Sequence, residues 1–593
     1  MASRRSVRRW LLPPVAVLIG LAAAFAAHRL AGSSWEQVVS YRSPFTATDL
    51  PAAGSGPPVA GRLVLVIVDG LGEEASREMN SLERLRDIGA DLTLVAGQPS
   101  LSYPTWTTLL SGAPPNVSGV TTDRFEERVP VETLLDTALR SGRTVGVVGP
   151  TSFETLYGAG RAQAAFLMDR EGDYLSARLV DEALRIDGGL RPDLLVVHLP
   201  DVDEAGRASG TGSSEYAEVV RRVDGDLARL VEGTQDARTA YAVVSAHGHV
   251  AGGGYGGWEP EVLRAPAVLS GDGFRYARMT ARQSDLAPTL AALTGIPSPR
   301  QAAGEALAEV LATTSGDPVR PTWAQRRAFA AAYADVVLEP TGVTRHADWG
   351  EDSHGEALDS WIRSAERVRE AHDRWERVPA GIAVAAGAVL ALAAVGLASW
   401  RALLAALAGT AVYHALYNAA YFLVHGHWWS LSAFNSRSDV RSFFSLRMAE
   451  AAAAGLAAAF VAGLVYAALR RAPRGSRGRF LPGWLALGPV TALTAQATLA
   501  LQVAWFLWWY GASVTWRMPD LRWALKYELD LVQATALGAA AVLSPLVTWL
   551  AGRYHPRVRR AEETRRAAED AERGRSVLGE EQEPVVRRKS HPA

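Results

Sequence analysis

Apolar positions along the chain follow two regimes. Between about residues 62 and 310, short β-branched-rich runs alternate with amphipathic stretches. Arg62–Val68 is almost continuously apolar, as a strand covered on both faces of a parallel sheet must be. Asp91–Ala96, Arg143–Val148, Asp193–Leu199 and Ala240–Ser245 read as further strands, while Ser76–Ile88, Tyr174–Ile186 and Glu215–Val231 carry the helical period. This alternation predicts an α/β fold, a doubly wound parallel sheet with helices on both faces. Elsewhere the runs lengthen. Trp10–Ala27 follows a basic head, and five more apolar stretches lie at about Val378–Ser399, Ala402–Val424, Ala449–Leu469, Leu485–Tyr510 and Leu531–Leu550. Each is near or above the roughly 20 residues that span a bilayer, so an all-α transmembrane bundle is expected after the sheet.

The expected layout follows from these breaks. Residues 1–31 form a basic cytoplasmic head and an anchor, and residues 32–61 a Gly/Pro-rich linker. The α/β domain takes 62–310, and a helical stalk 311–377, built on the charged Glu356–Glu376. A five-helix membrane domain (378–551) and a charged cytoplasmic tail (552–593) complete the chain. The first helix reads as a signal anchor or a cleavable signal peptide, and either way the next segment is exported. Arg470–Arg479 and Arg553–Arg560 are strongly basic, whereas the Trp428–Phe444 loop is mixed and aromatic. The positive-inside bias therefore predicts an integral cell-membrane protein with both termini cytoplasmic and its main domain outside. One membrane stretch is unusually polar: Tyr413, Tyr417 and Tyr421 share a face beside His414 and Asn418. That stripe suits a headgroup groove or plain interhelical hydrogen bonding.

Composition removes some function classes. A net charge of −1 over 593 residues supplies no field for nucleic acid. No cysteine is present, which excludes disulfides and thiolate chemistry. The 18 tryptophans and the low charged fraction of 21% suit a chain partly in lipid.

The candidate chemistry gathers at strand ends. Asp69 closes RLVLVIVDG, and Ser102 sits in QPSLSYPTWTTLLSG just ahead of a predicted helix. A hydroxyl there would meet free N–H groups and the positive end of the helix dipole, or else simply cap the helix. Further on come LPDVDEAGRASG, then VVSAHGHVAGGGYGGWEPEV, then SDLAPTLAALTGIP. These five ordered blocks, from Arg62 to Ala306, resemble the alkaline phosphatase superfamily, most closely its type I phosphodiesterase and nucleotide pyrophosphatase branch. The succession of anchor, exported domain and membrane helices is similar to that of the GPI ethanolamine phosphate transferases.

The resemblance implies a nucleophile at Ser102 and two divalent metals, normally zinc, that activate it and neutralise a bound phosphate. The chain keeps Asp69, Asp203 and His247 as metal ligands. It departs from the pattern at three positions, with Ala246 in place of an Asp, and Arg207 and Tyr255 each in place of a His. One divalent ion, or none, is thus expected, and a second is not. With fewer carboxylates to neutralise, the guanidinium of Arg207 suits a phosphoester directly, helped by Tyr255 and by Thr105, which stands where relatives carry Asn. His198, Glu204, His249 and Asp201 stay open as substitute ligands. Two functions follow. One is a membrane-anchored phosphodiesterase or phospho-group transferase acting on a lipid or envelope phosphoester. The other is a non-catalytic phosphoester-binding or scaffold descendant.

Overall fold

A computed structural model describes residues 2–48, 50–169, 174–313, 315–350, 353–435, 440–469 and 481–554, together with 567, 570 and 571. The central sheet has eight strands: β1 (Arg62–Val68), β2 (Ala90–Val95), β3 (Val145–Pro150), β4 (Ala164–Met168), β5 (Leu194–Leu199), β6 (Thr239–Val244), β7 (Arg264–Gly271) and β8 (Ala277–Arg282). Their spatial order is β4-β3-β5-β1-β6-β7-β2-β8. β1 lies centrally, parallel to β5 on one side and to β6 on the other, with Val66 opposite both Val197 and Val243.

The expected sheet is present with one departure: β7 runs antiparallel to both β6 and β2, so the sheet is mixed and mostly parallel. The cause is local. Parallel neighbours need a crossover of a dozen or more residues, usually a helix. The β6–β7 link carries among its described residues only the four-residue helix Pro260–Leu263 and is otherwise loop. The chain therefore turns straight back. β4, β7 and β8 were not foreseen in the periodicity.

Seven consecutive buried residues in β1 feed two cores by alternation. Leu63, Leu65 and Ile67 face a core that includes Trp106, Leu109 and Leu110 of α3 (Ser102–Ser111). Val64, Val66 and Val68 face the other, which is filled from α2 (Asn80–Ile88), α4 (Ser176–Leu190) and α6 (Ser214–Thr234). α5 (Asp201–Ser209) lies between β5 and α6. This is the double winding that the alternating pattern implied.

Two segments expected outside the domain join its core. From the linker, Phe45 is fully buried and stacks on Tyr333 with ring centroids 4.3 Å apart. Tyr333 belongs to α7 (Arg320–Leu338), in the region read as stalk, and Phe329 and Val337 of the same helix are buried in the same cluster. Large aromatic surfaces override the flexible composition of the flanking sequence.

Among the described residues, six helices are long and apolar enough to cross a membrane. They are α1 (Ala2–Val39), α8 (Glu356–Ala398), α9 (Trp400–Asn418, extended by a π-helical turn to Val424), α10 (Val440–Leu469), α11 (Leu481–Trp509) and α12 (Leu521–Tyr554). α8 passes from stalk to bundle without a break at residue 378. The polar stripe of α9 is engaged mostly with its neighbours: Tyr413 donates to Gln533, His414 pairs with Thr498 at 2.8 Å, and Tyr421 donates to the Trp428 carbonyl. The basic loop Arg470–Arg479 lies outside the described residues, as does the charged tail apart from its first residues and three isolated positions.

Candidate functional site

The site forms where β1, β5 and β6 end, the usual place in an α/β sheet. Asp69 follows β1 directly. Gly70 then turns at φ +72°, and a Cβ there would lie 2.5 Å from the Asp203 Cα and 2.7 Å from His249 Nε2. Glycine is thus needed for the elements to converge. Ser102 opens α3, Asp203 sits in the first turn of α5 with Arg207 one turn later, and His247 and His249 come from the loop after β6.

The sequence-predicted residues mostly meet. Ser102 Oγ lies 3.3 Å from His247 Nε2. The same nitrogen is 3.6 Å from Asp69 and 3.9 Å from Asp203. His249 Nε2 lies 3.2 Å from Asp203. All five side chains are buried. Tyr255 stacks flat on the His247 ring, with centroids 4.6 Å apart, and donates its hydroxyl to Asp123 at 3.2 Å.

The tautomers follow from the partners. Nδ1 of His247 faces the Gly248 carbonyl at 3.1 Å, and Nδ1 of His249 faces that of Gly253 at 2.9 Å. A carbonyl only accepts, so both Nδ1 atoms carry a proton and the Nε2 atom of each ring faces inward. Burial lowers the pKa of His247 below the ordinary histidine value despite the opposing charges of Asp69 and Asp203. Two imidazole nitrogens and one carboxylate oxygen, all within 4.8 Å of one another, are a donor set suited to one divalent ion.

Asp203, His247 and His249 make that set, and Asp69, also expected as a ligand, lies beside it 3.6 Å from His247 Nε2. Asp69 has other partners: Trp106 Nε1 donates to it at 3.1 Å, and His198 Nε2 lies 3.3 Å away. Burial and Asp203 push its carboxyl up, but His198 and His247 more than offset them and hold it below the usual value. Ala246 offers no ligand atom, and Arg207 brings a guanidinium instead, 3.3 Å from Asp203 and paired also with Glu204. Burial opposes the charge of Arg207, yet Asp203, Tyr255 and Glu204 raise its pKa above the ordinary arginine value.

Other residues are placed away from the cluster. Thr105 turns its hydroxyl onto the carbonyls of Leu101 and Ser102, at 2.7 and 3.1 Å. Asp201 accepts from the backbone of Leu175 and Ser176 and so holds the start of α4. The first turn of α3 is not open to a phosphate as expected. Asp123 takes the Tyr103 N–H at 2.8 Å, and Pro104 has none to give. Sequence reasoning missed Asp123, which carries no motif, and Trp106, whose helical spacing reads as core. For His198 the signal was a lone imidazole at the penultimate position of an otherwise apolar strand.

Residues 63–255 match the family model described as type I phosphodiesterase / nucleotide pyrophosphatase. The chain is 22% identical over 324 residues to GPI ethanolamine phosphate transferase 1 of Mus musculus, covering 45% of this chain and 34% of that protein. It is 22% identical over 303 residues to the catalytic subunit of human GPI ethanolamine phosphate transferase 2, covering 46% and 30%. The chain thus spans about a third of the length of these relatives. Among solved structures, wild type alkaline phosphatase PafA aligns with a TM-score of 0.35 at 12% identity, over 43% of this chain and 99% of that one.

Proposed function

We propose that this chain is a membrane-anchored phospho-group transfer protein that works with at most one divalent ion, held by Asp203, His247 and His249. The observation that carries this is the approach of Ser102 Oγ to 3.3 Å from His247 Nε2, beside that donor set. A bound ion would supply Lewis-acid charge and lower the pKa of the hydroxyl. The chain's own residues do the rest. Ser102 stands beside the ion site for attack on a phosphoester, Trp106 and His198 fix Asp69 next to it, and Arg207 provides the fixed positive charge that a second ion would otherwise bring. The main domain is proposed to face away from the cytoplasm, with lipid or envelope phosphoesters as the substrate class.

A second reading, a phosphoester-binding protein without turnover, is favoured by one feature. Ser102 is 2% exposed, and the Tyr255 ring fills the space over the neighbouring His247. The two readings separate experimentally. The full chain in detergent, dialysed and analysed for metals, should retain no more than one equivalent, and His249→Ala should lose it. Turnover of a chromogenic phosphodiester that disappears in Ser102→Ala supports transfer. Phosphate binding with no turnover supports the second reading, and two retained equivalents of zinc would overturn both as drawn.

A further inference from the structure

Every group that would do chemistry in this site is shut away. Ser102, Asp203, His247 and His249 are each at most 3% exposed. A phosphoester reaches them only after part of the wall has moved. One wall is the segment 250–257, five of whose eight residues are glycine. It carries Tyr255, whose ring lies on His247, and Gly256, where a Cβ would fall 2.5 Å from the Leu101 side chain. From the domain side Ser100 holds this strap, donating to the Gly257 carbonyl at 3.0 Å.

From the other side the strap is held by the bundle. In the loop after α9, Asn435 donates to the Tyr255 carbonyl and Ser432 to Glu259, while Trp258 donates to the Trp429 carbonyl. The approach is close enough that a Cβ on Gly257 would lie 2.0 Å from Ser430 Oγ. Arg522 of α12 adds a cation–π contact, 4.9 Å from the centre of the Trp258 ring. The loop takes its own position from three helices. Tyr421, in the π-helical turn that ends α9, donates to the Trp428 carbonyl at 2.8 Å. Phe434 packs on Phe443 of α10 with centroids 5.1 Å apart, and Trp429 on Trp523 of α12 at 5.8 Å. A tilt or rotation of these helices therefore displaces the loop, and with it the grip on the strap. π-helical turns are rare and gather at functional sites. Three hydrogen bonds, each of modest net worth against water, favour the docked loop yet are few enough to be given up.

We propose that the loop 428–435 is a latch: docked, it holds Tyr255 on His247 and keeps the site closed, and released, it frees the strap and opens the way to Ser102. The latch deepens the phospho-group transfer reading and rests on it only for what the open site admits. The chain has no cysteine, so Ser102→Cys supplies its sole thiol. Modification of that thiol by methyl methanethiosulfonate, followed by intact mass, reads opening without any turnover. The full chain is used in phosphatidylcholine nanodiscs, with a chelator present so that no ion masks the sulfur. Modification should be several-fold slower than that of Ser141→Cys, an exposed position in the same domain. Tyr255→Ala removes the ring itself and sets the rate of an open site. Ser432→Ala with Asn435→Ala should speed modification several-fold toward that rate. Trp258→Phe, which keeps the ring and removes one donor, should speed it too, and guards against a rise from misfolding. Asn418→Ala, whose amide donates to the His414 carbonyl within α9, should leave the rate unchanged. Parent rates in both the double variant and Trp258→Phe would overturn the latch, as would a Ser102→Cys rate equal to that of Ser141→Cys. The two readings fail separately. Faster modification in the latch variants of a chain that turns over no phosphodiester would sink the transfer reading alone, and Ser102-dependent turnover with unchanged modification rates would sink the latch alone.

Discussion

At the scale of single residues, three departures from the resembling family act together in the structure. Arg207 pairs with Asp203, Tyr255 covers His247, and Ala246 leaves the space beside them apolar. The guanidinium of Arg207 sets a fixed positive charge against Asp203 and Glu204 at the edge of the cluster. Arg207→Ala should therefore weaken binding of phosphate, vanadate or a phosphodiester several-fold, as read by calorimetric titration of the full chain. Equal binding by wild type and variant would remove Arg207 from the site. The converse change tests the same logic. Arg207→His, Ala246→Asp and Tyr255→His together should add a second zinc equivalent by elemental analysis, whereas Arg207→His alone should not. A second equivalent from that single change would show that Arg207 is the sole obstacle.

At the scale of elements, the glycine run after His249 serves packing between two parts of the chain. The loop between α9 and α10 lies against it: Trp258 donates to the Trp429 carbonyl at 3.0 Å, Ser432 to Glu259 at 2.9 Å, and Asn435 to the Tyr255 carbonyl at 3.3 Å. A Cβ on Gly254 would fall 1.8 Å from the Ser432 carbonyl oxygen, a distance no side chain reaches. Gly254→Ala should lift this loop, seen as faster hydrogen exchange across residues 429–435. Gly252→Ala, where a Cβ meets nothing within 4 Å, should leave the exchange unchanged. Matching exchange in both variants would mean that the contact does not hold the loop. Because Tyr255 accepts from Asn435 and also stacks on His247, this contact ties the bundle to the site.

At the scale of the whole molecule, domain and bundle are joined at several places. Thr121 donates to the Val38 carbonyl at 2.6 Å, and the loop after α9 meets Trp258 and Glu259 of the domain. The segment between α1 and β1 is anchored through Phe45, which is fully buried. Phe45→Ala should destabilise the sheet domain by about 3–5 kcal/mol, the usual cost of a large core truncation. Chemical denaturation followed by tryptophan fluorescence would show it as a lower midpoint with an unchanged slope. An unaltered midpoint would mean that this segment rides on the surface.

The sequence alone determined what periodicity and ordered motifs encode. Strands β1, β2, β3, β5 and β6 were legible because each is a short apolar run bounded by turn residues, and the six long helices because lipid demands a continuous apolar stretch. Asp69, Ser102, Asp203 and His247 were legible because motif order carries them to strand and helix ends. Tertiary structure decided the rest. The inward turn of His247 and His249 depends on which Nδ1 atoms meet carbonyls, and the setting of Asp69 on Trp106 and His198, residues 37 and 129 positions away from it. The reversal of β7 followed from a crossover helix missing between β6 and β7, and Asp123 reached the start of α3 through a loop without a motif. Contacts of this kind are set by long-range packing, to which local pattern is blind.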